Sequence, residues 1–100
     1  MLLPKAYEPQ TVVSFKLLSG EEIVSRVSEE TDTHYSLTKP LALIATPQGG
    51  LGLAPVMFSV DPKNSLMLNK AAVMLHAKTQ EELASQYMAQ TSGLTIAKAI

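Results

Sequence analysis

Asp32-Thr33-His34-Tyr35-Ser36-Leu37 gathers a carboxylate, an imidazole and short hydroxyl side chains between two extended runs, where a loop would hold them together. Catalysis does not follow from that set. Ser36 comes two residues after His34, and strand residues of one parity point the same way without forming a nucleophile and its base; no Gly-x-Ser-x-Gly elbow exists either. The histidines, His34 and His76, are far apart in sequence, neither has a second ligand at metal spacing, and cysteine is absent, which argues against a zinc site. Gly49-Gly50 and Asp61-Pro62 lack the Gly-Lys-Ser/Thr of a phosphate loop. What remains is binding chemistry, with no enzyme activity and no cofactor expected.

The elements that must position this set begin with a hairpin. Val13, Phe15 and Leu17, then Ile23 and Val27, give each of two strands one buried face, and Gly20 supplies the positive φ of the connection. Strands are expected over residues 12–18, 23–29 and 35–46. Leu41 to Ala45 are apolar at both parities, so this stretch is covered on both faces or lies in a subunit contact. Pro47-Gln48-Gly49-Gly50 turns the chain into a second hairpin whose return strand is expected over residues 51–60. After Asp61-Pro62-Lys63-Asn64, residues 66–69 and 73–75 are two short strands or one interrupted strand. A C-terminal helix is expected over about residues 79–92. Thr79-Gln80-Glu81-Glu82 forms its capping box, Leu83, Ala84, Tyr87 and Met88 its apolar stripe, and Ser92-Gly93 its stop. Pro4 and Pro9 leave room for at most one helical turn ahead of the first strand.

A chain of 100 residues fits a single domain spanning 1–100, with one core and little surplus stability. With 46% hydrophobic and 17% charged residues it is apolar for a monomer of its size, which points to surface facing another subunit. No apolar run approaches the roughly 20 residues of a membrane span, and Met1-Leu2-Leu3-Pro4-Lys5 is too soon interrupted for a signal peptide. A reducing cytoplasm is the expected compartment. Net charge is −1, yet residues 1–32 hold three basic against six acidic residues, whereas residues 33–80 hold four lysines against Asp61 alone. An asymmetric field follows if those parts line different faces; a plainly solvated surface is the simpler meaning of the pattern.

Leu18, Gly20, Ile23 and Val27, followed by Asp32, His34 and Leu37, resemble the first motif of the Sm-like family, which includes the bacterial RNA chaperone Hfq. The resemblance is nearest to Sm-like proteins of phages that infect marine cyanobacteria, through the tail Tyr87-Met88-Ala89-Gln90-Thr91-Ser92-Gly93. Tyr35 and Ser36 stand where the family has Met and Asn, and Leu68-Asn69-Lys70-Ala71-Ala72-Val73 matches the second motif in outline, without its Arg-Gly or Hfq's His. The resemblance implies a small, strongly bent, five-stranded antiparallel open barrel, SH3-like, with the C-terminal helix added. Residues 51–60 would be its fourth strand, or else an enlarged variable region, in which case the fourth and fifth strands flank Lys70. It also implies edge-to-edge pairing into a homo-oligomeric ring of about five to seven subunits, which repeats one lysine around a pore. The implied ligand is short single-stranded RNA, in RNA regulation or processing during phage infection. His34 would stack on a base, Tyr35 would add a stacking face, Ser36 would take the hydrogen-bonding place of Asn, and Asn69 with Lys70 would supply hydrogen bonds and charge. An oligomeric structural or protein-interaction module that has lost RNA binding is the alternative, suggested by the altered second motif and the acidic pI.

Overall fold

The computed structural model describes residues 6–92. Period-two alternation sets the first two strands: Val13 and Phe15 of β1 (Thr11–Leu17) face Ile23 and Val27 of β2 (Glu22–Glu30), with Phe15 paired to Ile23. Gly20, at φ 100°, closes this hairpin with its N–H on Leu17 O at 2.9 Å. Among the described residues no helix precedes β1.

β3 (His34–Ala45) carries a change of register that explains its mixed pattern. Arg26 pairs with Thr38 but Val24 pairs with Leu41, so one extra β3 residue is taken up around Lys39-Pro40, where Lys39 sits at φ 51° and Pro40 has no N–H to donate. A one-residue slip exchanges the faces of everything beyond it. Tyr35 and Leu37 therefore join Val13 and Phe15 on one side of the sheet, while Leu41 and Leu43 pack on the other. A second bulge, in β2 at Ser28, shifts the register back toward the tip, where Glu30 pairs with Tyr35.

β4 (Leu51–Pro55) and β5 (Leu66–Asn69) both pair with the edge of β3 that β2 leaves open, β4 along Leu41–Ala45 and β5 along His34–Leu37. The expected strand over residues 51–60 is thus cut short. Its ladder stops at Pro55 opposite Leu41, because the bulge at Lys39-Pro40 offers no regular edge beyond, and residues 56–65 form a loop. The short segments after that loop are two strands, β5 and β6 (Val73–Lys78), joined by the 3-10 turn Lys70–Ala72. β6 pairs with β1, placing His76 opposite Phe15. Six strands are present rather than the five expected, in the order β4-β3-β2-β1-β6 with β5 beside β3. No ladder joins β6 to β4 or to β5 among the described residues, so hydrogen bonds do not close the sheet.

Helix α1 (Glu81–Thr91) begins later than the expected capping box at Thr79. Thr79, just past β6, is tied to the sheet, its N–H bonding Val12 O at 3.0 Å and its hydroxyl lying 2.8 Å from Ser14 Oγ, so the cap passes to Gln80, whose Oε1 accepts the Glu82 N–H. Tyr87 and Leu83 pack on Val24, Leu41 and Leu53, whereas Met88 of the expected stripe is 43% exposed at the margin. The fully buried Tyr87 hydroxyl accepts the Arg26 N–H and faces the carbonyls of Thr38 (2.6 Å) and Lys39 (2.8 Å), clamping the β3 bulge. At the other end Lys39 Nζ donates to Thr91 O, a cation on the last turn of the helix. Two cores result, one on each side of the sheet. No helix among the described residues is long and apolar enough to cross a membrane. Residues 1–5, too soon interrupted to be expected as a signal peptide, and the expected stop at Gly93 lie outside the described residues.

Candidate functional site

The β2–β3 connection is tied by one hydroxyl. Thr31 Oγ1 accepts the N–H groups of Thr33 (3.3 Å) and His34 (3.0 Å), while the Thr31 N–H bonds His34 O at 2.9 Å. This fixes His34 at the first position of β3, where its Nδ1 lies 2.8 Å from Thr33 Oγ1. Directly opposite in the β3–β5 ladder stands Asn69. Its Oδ1 accepts the Ala71 N–H at 2.9 Å and so caps the Lys70–Ala72 turn, and the Lys70 N–H bonds Thr33 O at 2.8 Å, locking turn to loop. The Asn69 side chain is exposed and that of His34 half-buried.

Opposed strand residues bring their side chains within about 5 Å of each other. With Oδ1 engaged, Asn69 presents its amide N–H donors, while His34 offers an imidazole face and Nε2, which has no hydrogen-bond partner among the described residues. A planar heterocycle with donors and acceptors on its rim fits such a pair.

Lys70 is close by but engaged elsewhere. Its Nζ lies 2.8 Å from Glu30 Oε2 and 4.9 Å from the centroid of the Tyr35 ring. Glu30 Oε1 accepts the Ala6 N–H at 3.1 Å. Burial by itself would raise the Glu30 pKa, but the hydrogen bonds from Lys70 and Ala6, with the charges of Lys70 and His76, outweigh it and hold the carboxyl below its ordinary value.

Of the five residues that the sequence singles out, His34 and Asn69 meet at the surface, with Lys70 beside them in an ion pair. Tyr35 and Ser36 point elsewhere. Tyr35 is 3% exposed, packed 5.0 Å from the Phe15 ring and near Tyr7 and His76, and burial followed by the Glu30 charge raises its pKa. Ser36 is buried, its Oγ accepting from Ser28 Oγ at 3.2 Å in the β2 bulge. Thr31, Thr33 and Glu30 shape the site without being legible as part of it. Glu30 closes an acidic pair that reads in sequence as solvated charge, and only the β2–β3 register turns it toward Lys70.

His76 belongs to a separate aromatic cluster, its Nδ1 lying 2.6 Å from the Tyr7 hydroxyl. Among the described residues no group of His, Cys, Asp and Glu could hold a metal ion. A groove of about 410 Å³ between the β3 bulge, residues 56–64 and the end of α1 includes none of His34, Asn69 and Lys70. In comparisons with known proteins, no family model matches the chain and no curated protein is significantly similar to it.

Proposed function

We propose that the chain is an Sm-like subunit that assembles through its strand edges into a homo-oligomeric ring of about five to seven copies and binds short single-stranded RNA at His34 and Asn69, without catalysis. One observation supports this: the β3–β5 ladder pairs Asn69 with His34, one residue from each of the two motif-like segments.

The barrel belongs to the same proposal. Across a flat sheet β5 and β6 would stand four strand spacings apart, about 19 Å, whereas three residues of 3-10 turn advance only about 6 Å. A sheet wrapped toward itself reconciles the two lengths. The inner core supports the same shape, since Leu68 from one margin and Val73 from the other pack against the cluster of Val13, Phe15 and Tyr35. Among the described residues β5 and β6 each keep one unpaired edge, and pairing β5 of one copy with β6 of the next satisfies both. Cytoplasmic action on host or phage transcripts is the setting this reading implies.

The Lys70–Glu30 pair favours a second reading, a ring that no longer binds RNA. Native mass spectrometry with and without a short U-rich or A-rich RNA separates the two. A closed oligomer taking up RNA is expected. A closed oligomer that ignores RNA supports the structural alternative, and a monomer overturns the ring.

A further inference from the structure

RNA is usually held through its phosphates, and each phosphate contact needs an available cation. Lys70 adjoins Asn69 in the His34–Asn69 pair, and its charge is already met within the protein. The Glu30 side chain is 9% exposed, holds Lys70 Nζ at 2.8 Å and is itself fixed by the Ala6 N–H at 3.1 Å. Moving Lys70 out to a phosphate would strand that carboxylate in a nearly buried position, and the ammonium would also leave the face of Tyr35. Asp32, exposed in the same loop, adds a further negative charge. Repetition around a ring multiplies whatever charge each site carries, so a site balanced at or below zero gives a circle without positive potential.

We propose that Glu30 is a specificity-determining residue, an internal counterion to Lys70 that makes the site read the uncharged edge and face of a nucleobase rather than the phosphate backbone. This rests on the RNA-binding reading above and adds to it the part of the RNA that is recognised. His34 and Asn69 supply the contacts, and affinity is close to independent of salt.

The test is fluorescence anisotropy of a labelled oligouridylate and a labelled oligoadenylate with the wild-type chain and with Glu30→Gln, titrated in salt from about 50 to 200 mM. For the wild type a nearly flat dependence is expected. In Glu30→Gln, Lys70 is released, and binding should tighten several-fold at low salt and acquire a log–log slope of about −0.7 for each phosphate that the freed lysines neutralise. A steep slope in the wild type overturns the proposal while leaving RNA binding intact, as does a folded Glu30→Gln with an unchanged slope. If neither protein binds either RNA, the RNA reading fails and the proposal with it. If the variant does not fold, the wild-type slope still tests the proposal, because a steep one overturns it.

Discussion

Tyr87 shows how much of this fold hangs on single polar atoms, because its hydroxyl serves Arg26 N–H, Thr38 O and Lys39 O from a fully buried position. Tyr87→Phe keeps the ring's volume and its packing on Val24 and Leu41, so it removes only those hydrogen bonds. Stability should fall by about 1 to 3 kcal/mol, seen as a lower urea midpoint with an unchanged slope. Glu30 gives a pH signature of known sign. Its folded pKa lies below the ordinary 4.5, so the unfolded chain binds the proton more tightly. Its stabilisation is therefore complete above the unfolded value and drains away as pH falls through the lower folded one. Urea midpoints of wild type and Glu30→Gln should differ most near neutral pH and converge in acid, and a gap that stays constant with pH would contradict the ion pair. Sequence makes His34 and Asn69 visible as a pair through the two motif-like segments. It conceals that Tyr35 and Ser36, at opposite parities of one strand, are both buried, because the cover over Ser36 comes from the Ser28 bulge of β2, which no spacing within β3 announces.

Among the elements, the first hairpin is the one most fully written in the sequence. Gly20 sits at φ 100° and a Cβ there would meet nothing within 4 Å, so the cost of Gly20→Ala is conformational alone. That cost should be about 1 to 2 kcal/mol, and Gly20→Asn should cost less because Asn tolerates the left-handed region; thermal or urea unfolding of the two variants checks the order. β1, β2 and β3 begin and end within a residue or so of the alternation that predicts them. The losses lie where a partner rather than a pattern decides. Residues 51–60 are apolar at both parities, but the edge available to them ends at the Lys39-Pro40 bulge, and the one mark of this in their own sequence is Pro55, where the ladder stops. Thr79 likewise has the residue type of a cap and is claimed by Ser14 and Val12 instead. Two short strands flanking Lys70 are one of the two placements that the sequence leaves open, and the Lys70–Ala72 turn, capped by Asn69, is what separates them.

For the molecule as a whole, the unmet requirement is at its free strand edges, those of β5 and β6 beside that of β4. Among the described residues β5 pairs only with β3 and β6 only with β1, and both strands expose large apolar side chains, with Met67 59%, Met74 53% and Leu75 64% accessible. Edges of this kind associate unless something covers or charges them. Head-to-tail pairing joins two different surfaces, so it closes into a ring only when the rotation between neighbours divides a full turn. In the proposed ring Met67 and Leu75 come under a neighbouring copy, and carboxylates there would be desolvated and set against their like. The double variant Met67→Glu/Leu75→Glu should therefore run as a monomer in native mass spectrometry and sedimentation. Both positions are open to solvent within the protomer, so the monomer's own stability should change by no more than about 0.5 kcal/mol per site. RNA affinity should fall with the ring, because single sites built from one imidazole and one amide hold a strand only through their repetition. A variant that keeps its oligomeric mass would show that the contact between copies lies elsewhere, and an intact ring with lost RNA binding would place these side chains in the RNA path.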